Sequence, residues 1–87
     1  MTYCVYMLHC IDGTFYTGVT TDVARRVVEH NTSPRAARYT RSRRPVKLVY
    51  TESAPTRSAA LVREAAIKRY PRTAKEMLIK ENRETMG

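Results

Sequence analysis

The chain is 87 residues long, 43% apolar, and carries 16 Lys and Arg against 8 Asp and Glu, a formal charge of +8. That length predicts one domain with a modest core, and the apolar fraction excludes a disordered chain. The charge favours a polyanionic partner, most often nucleic acid, with a merely basic soluble surface as the plainer alternative. The longest apolar run, Tyr3 to Leu8, is too short to span a bilayer, so no membrane partner is expected. The N-terminus shows no charged lead, long apolar centre and cleavage site, and a cytoplasmic protein is expected. Cys4 and Cys10 fall on one predicted strand, about 20 Å apart at the rise of a strand. A disulfide needs Cα atoms within about 7 Å, so both are read as thiols.

Tyr3 to Cys10 is rich in β-formers and predicts a strand. Asp12-Gly13 is a turn signal, and Phe15 to Val19 predicts the antiparallel partner. Thr21 and Asp22 look like a helix start, Thr21 as cap and Asp22 at the positive end of the dipole. Val23 and Val27 then share an inward stripe, with Arg26 and His30 four apart beside it. The apolar period stops from Asn31 to Pro45. This segment reads as a basic loop holding Arg35, Arg38, Tyr39, Arg41, Arg43 and Arg44. Val46 to Glu52 predicts a third strand and Ser58 to Arg69 a helix ended by Pro71. Thr73 to Glu76 fits a capping box opening a last helix, with fraying expected from Asn82. The expected fold class is α+β: a three-stranded antiparallel sheet flanked by about three helices, in the order β-β-α-β-α-α.

Strand alternation places Tyr6 and Tyr16 so that a hairpin brings two phenols together. Gly18 removes a side chain where a backbone or ligand approaches. A phenol titrates near ~10, and an adjacent cation lowers that by roughly one to three units. Arg26 or a metal would then make a tyrosine a usable general base. Two tyrosines on a hairpin also simply pack. Arg26 and His30 together would grip a phosphate, or form a solvated helix edge. His30 is not read as a zinc ligand, because the only other histidine is His9. Glu64 lies at the edge of an apolar helix surface. It either pairs with Lys68 at i+4 or holds one hard cation, completed by water and phosphate. Five arginines of the basic loop, each neutralising a phosphate, predict a log–log salt slope of about −4 to −5. Tyr39 would stack on an unpaired base.

Together these residues resemble the GIY-YIG nuclease superfamily, in the small stand-alone bacterial type related to excision-repair and structure-specific nuclease domains. The first motif stands as Cys4-Val5-Tyr6 and the second as Tyr16-Thr17-Gly18. The segment from Gly18 to Asn31 is similar to the family helix with its arginine and histidine. Ala60 to Lys68 is similar to the helix bearing its metal-binding glutamate. The match covers roughly residues 3 to 80 of a single domain spanning 1–87.

The resemblance implies cleavage of a phosphodiester with one divalent ion, Mg²⁺ or Mn²⁺. By position, Tyr6 would be the base, Tyr16 would orient water or phosphate, and Arg26 would bind the scissile phosphate. His30 would assist by hydrogen bonding or proton transfer, and Glu64 would hold the metal. Cysteine replaces the first glycine of the motif. Many relatives carry a basic residue three after the first tyrosine, where His9 stands; alternation points His9 away from Tyr6, so a role there needs a bulge. No asparagine matches the one that ends some relatives, Asn82 lying too far along.

The reading is a metal-dependent endonuclease-like domain acting on DNA, structure-selective or weakly specific, in repair or recombination. The absence of a separate recognition domain leaves a targeting partner or a homodimer open. The alternative is a non-catalytic nucleic-acid-binding module or an accessory protein of a larger complex.

Overall fold

A computed structural model describes residues 2–86, with side-chain surroundings through residue 83. The sheet is antiparallel, in the order β2-β1-β3, from β1 (Tyr3–His9), β2 (Phe15–Thr20) and β3 (Lys47–Ala54). Around it lie α1 (Val23–Thr32), α2 (Arg38–Arg41), α3 (Arg57–Arg69) and α4 (Arg72–Met86). The expected α+β order holds, with one addition. The basic loop contains the short helix α2.

The β1–β2 turn follows from Asp12 and Gly13. Gly13 adopts φ +85°, which costs glycine nothing. The Asp12 carboxylate accepts from both the backbone N–H and the hydroxyl of Thr14. Asp22, rather than Thr21, caps α1, accepting from the Arg25 N–H at 3.1 Å. Thr56 caps α3 by accepting from the Ala59 N–H at 3.0 Å. Thr73 lies inside α4 instead of opening it. The Pro71 carbonyl accepts from the N–H groups of Ala74 and Lys75, so the helix begins at Arg72. Proline suits that entry because its ring fixes φ and it has no N–H to leave unpaired. The helix runs on past Asn82, where fraying is expected from sequence.

Both faces of the central strand are covered. Val5 and Met7 face a cluster with Tyr50, Ala54, Ala60, Ile67 and Ile79. Tyr6, Leu8 and Cys10 face the other way, with Val46, Val23, Val27 and Tyr16. This explains why β1 reads as a nearly continuous apolar run. The sheet does contain a register shift, but on β3. Met7 pairs with Tyr50 and Leu8 with Leu48, leaving Val49 as the extra residue. β1 keeps its phase, so His9 stays on the face away from Tyr6, its ring 5.3 Å from that of Phe15. Both cysteines are free thiols. Among the described residues no helix is long and apolar enough to cross a membrane.

Candidate active site

A cleft of about 230 Å³ opens at the β2 edge and is lined by Tyr6, Tyr16, Gly18, Arg26 and Glu64, together with Tyr3, Val19, Thr20, Arg57 and Leu61. Four separate elements meet there. β1 supplies Tyr6, β2 supplies Tyr16, α1 supplies Arg26 and α3 supplies Glu64. The ring centroids of Tyr6 and Tyr16 are 6.3 Å apart.

Gly18 is directly opposite Tyr6 in the ladder. A Cβ built at Gly18 would lie 2.6 Å from the Tyr6 hydroxyl oxygen and 2.7 Å from Cζ. The second motif therefore ends in glycine because the phenol of the first motif lies across its backbone.

Behind Tyr6 runs a buried hydrogen-bonded chain. The Tyr6 hydroxyl is 2.7 Å from Nε2 of His30, and His30 Nδ1 is 2.8 Å from Oγ1 of Thr40. His30 and Thr40 are fully buried. The Thr40 hydroxyl donates to the Ala37 carbonyl at 3.0 Å. Its one proton is thus committed, so Oγ1 accepts from Nδ1–H of His30. Nε2 then carries the lone pair and accepts from the Tyr6 hydroxyl. Burial, with the positive charges of Arg26 and Arg44 in support, pushes the His30 pKa down to about 4, so the imidazole is neutral near pH 7.

Tyr6 departs from expectation. Arg26 does favour its phenolate, but burial outweighs the guanidinium and Tyr16 adds to the rise. The result is a pKa pushed up to about 12 rather than down. Burial likewise raises Tyr16. Without a further cation both tyrosines are neutral phenols at pH 7. Arg26 also pairs with Glu29 at 3.3 Å.

Among the described residues, Glu64 is the one acidic side chain lining the cleft. Its carboxylate lies 3.6 Å from Nζ of Lys68. The structure thus contains the i+4 pair with Lys68 and also turns Glu64 to the cleft. No group of three or more His, Cys, Asp or Glu suited to a metal occurs among the described residues. A single carboxylate fits a hard divalent ion, which keeps several waters and takes phosphate oxygens from its substrate. It does not fit zinc.

The basic loop divides into two kinds of arginine. Arg44 donates to the carbonyls of His30 and Ser33, satisfying the C-terminal end of α1. Arg43 donates to the Asp12 carboxylate and to the Tyr39 carbonyl, both at 2.9 Å, and covers the Tyr39 ring at 3.9 Å. These two guanidiniums are engaged by the fold, which sets them apart from the other three arginines of the loop. Arg35 and Arg38 are exposed, and Arg41 makes one long bond of 3.4 Å to the Pro34 carbonyl. Tyr39 stacks on Tyr16, centroids 6.2 Å apart, so its ring is already engaged. That contact joins the basic loop to the cleft.

Two site residues escape the sequence reading. Thr40 has no local signal; only the fold shows that it meets His30. Arg57 has one, because positions 57, 61 and 64 share a face of α3, and all three line the cleft.

The chain matches the family model described as the GIY-YIG catalytic domain over residues 2–77. It is 58% identical over 76 residues to a UPF0213 protein of Desulfotalea psychrophila, covering 87% of this chain and 69% of that one. It is 50% identical over 82 residues to a UPF0213 protein of Syntrophus aciditrophicus, covering 94% of each. The solution structure of a UPF0213 protein from Bacillus halodurans matches with 44% identity and a TM-score of 0.58, over 92% of this chain and 84% of that one. The solution structure of an E. faecalis protein gives 46% identity and a TM-score of 0.63, over 93% and 85%. A small α+β domain with an aromatic and basic cleft at a sheet edge is the class that the fold defines. The chain belongs to the GIY-YIG catalytic domain family, a nuclease superfamily.

Proposed function

We propose that this protein hydrolyses phosphodiester bonds in nucleic acid, DNA foremost, with one Mg²⁺ or Mn²⁺ held by Glu64. The observation that carries the reading is that Tyr6 and Glu64, 58 positions apart in sequence, line one cleft together with Tyr16 and Arg26. Arg26 would hold a non-bridging oxygen of the scissile phosphate and offset the charge that builds on it. Tyr16 would orient the attacking water. Tyr6, once ionised to the phenolate, would take the proton of that water, and His30, which Thr40 keeps in place, would hold the ring in position by hydrogen bonding. Bound at Glu64, the divalent ion would supply Lewis-acid stabilisation of the leaving oxygen. The exposed Arg35, Arg38 and Arg41 would grip flanking phosphates, and Arg43, Arg44 and Tyr39 would shape that surface.

The test is incubation of the purified protein with duplex, branched, flapped and single-stranded DNA and RNA oligonucleotides, with and without Mg²⁺ or Mn²⁺. Metal-dependent nicking of DNA supports the reading. Tight, salt-sensitive binding with no cleavage under any condition would leave a nucleic-acid-binding module on the same fold. A preference for branched substrates would support repair or recombination as the setting; no preference would favour targeting by a partner or a homodimer.

A further inference from the structure

Phe15 and Tyr16 are neighbours on β2 and point to opposite faces of the sheet. Tyr16 enters the candidate active site. Phe15 enters a second cleft, of about 380 Å³, between the sheet and α4. Its apolar floor is Phe15, Val49 and Ile79, and its basic rim is Arg72, Lys80 and Arg83. The α4 residues recur at helical spacing, so one face of that helix is turned toward the cleft. The Arg72 guanidinium lies 4.7 Å from the Phe15 ring centroid and donates to the Gly13 carbonyl at 2.7 Å. Glu76, the one acid of the lining among the described residues, sits 3.8 Å from Arg72. Lys80 and Arg83 are exposed and take part in none of the ion pairs among the described residues.

An apolar floor holding one aromatic ring, beneath two cations outside the ion pairs of the described residues, suits a planar ring carrying a phosphate. Base–aromatic stacking tolerates any base, and the cations supply the phosphate contact. The volume lies within the range of small-ligand clefts. An acidic peptide would use the rim but leave the floor uncovered. The position adds a further argument. Phe15 lies three residues along the edge strand from Gly18, about 10 Å at the strand rise. One nucleic-acid strand following the β2 edge can therefore reach both clefts.

We propose that the α4 cleft is a nucleotide subsite, which takes an unpaired nucleotide of the strand held at the candidate active site. The base packs beside Phe15, Val49 and Ile79, and its phosphate meets Lys80 and Arg83, with Arg72, held on Gly13 and Glu76, shaping the wall. His9, whose ring flanks Phe15, borders the same base. This rests on the nuclease reading and deepens it by specifying an unpaired nucleotide beside the scissile bond.

The test is equilibrium binding without divalent ions, so that failure of cleavage does not enter the result. The probes are hexadeoxyadenylate, a blunt duplex of matched charge, deoxyadenosine monophosphate and inorganic phosphate. The variants are Lys80→Ala/Arg83→Ala, both exposed side chains, and Val49→Thr, which makes the floor polar. The double variant is expected to bind hexadeoxyadenylate about tenfold more weakly and to lower its log–log salt slope by about 1.4, with duplex affinity little changed. Base protons of the bound oligonucleotide should show nuclear Overhauser contacts to Phe15 and Ile79 in the wild type. Val49→Thr should weaken hexadeoxyadenylate binding without changing the salt slope. Equal losses for hexadeoxyadenylate and duplex, or no loss in the double variant, would overturn the subsite. Monophosphate binding as tightly as the oligonucleotide would make this a free-nucleotide site and overturn the strand assignment. Inorganic phosphate matching the monophosphate would reduce it to a bare anion site and also overturn the proposal.

Discussion

The Tyr6 hydroxyl meets Nε2 of His30 at 2.7 Å across 24 positions of sequence, and both groups are buried. The phenol is therefore a donor in the resting protein, with its pKa pushed up to about 12. Well below that value the phenolate fraction grows tenfold per pH unit. If Tyr6 is the base, the single-turnover cleavage rate should climb with a slope near one from pH 6 to pH 9 and not level off. A profile flat across that interval would exclude the role. Tyr6→Phe should abolish cleavage and cost about 1–3 kcal/mol of stability, because Nε2 of His30 loses its donor.

Gly18→Ala tests whether the two tyrosine motifs are one packing unit. The new methyl would fall 2.6 Å from the Tyr6 oxygen, and the atoms it meets belong to a rigid buried ring. We expect a loss of about 1–3 kcal/mol in urea unfolding. Displacement of the phenol by an ångström should lower cleavage on the order of 100-fold. An alanine variant with wild-type midpoint and rate would mean that the ring shifts freely.

Stability should depend on pH through His30. Its folded pKa is about 4, below the ordinary histidine value of 6.5. Between those values the unfolded chain binds a proton that the folded chain refuses. The stabilisation is thus complete above pH 6.5 and is lost as pH falls toward 4, by at most about 3 kcal/mol. Urea titrations of wild type and His30→Gln at pH 7, 5.5 and 4.5 should converge toward the acid end. Parallel losses in both proteins would assign the acid sensitivity to other groups.

What the sequence discloses and what it withholds divide along physical lines. The hairpin, α1 and α3 are legible because turn chemistry, apolar period and the stop at Pro71 act over a few residues, whereas the caps Asp22 and Thr56 emerge from the structure. Tyr6, Tyr16, Arg26 and Glu64 are legible as an ordered set, and their meeting at one cleft is a result of the fold. The direction of the Tyr6 shift is not legible, because it depends on burial, which competes with the charge of Arg26. Thr40 is hidden for the same reason: its partner lies ten positions away, reached through a loop with no apolar period. Arg43 and Arg44 look like Arg38 and Arg41 in sequence, and only tertiary partners set them apart.

That difference predicts two kinds of arginine variant. Arg44→Ala removes charge-assisted hydrogen bonds to the carbonyls of His30 and Ser33. It should cost about 1–3 kcal/mol and lower the melting temperature. Arg38→Ala/Arg41→Ala removes exposed charge and should change stability by about 0.5 kcal/mol or less per site. It should instead flatten the log–log salt slope of duplex binding by about 2. The reverse pattern, with stability lost from Arg38 and Arg41 and salt slope lost from Arg44, would invert the assignment.

Glu64→Gln separates metal binding from folding. The carboxylate touches Lys68 at 3.6 Å, and the lysine is half exposed, so the pair is worth at most about 1 kcal/mol. The variant should fold normally. Its affinity for DNA, measured without divalent ions, should match or slightly exceed the wild type, since one negative charge leaves the cleft. Cleavage in Mg²⁺ should fall by 100-fold or more, on the order of the several kcal/mol that a Lewis-acidic ion contributes to the transition state. Chelation of the ion from the wild type should produce the same loss, and the two effects should not add. Full activity in the glutamine variant would place the ion on other ligands. A chelator-sensitive residual rate would show that Glu64 shares the ion with a second donor.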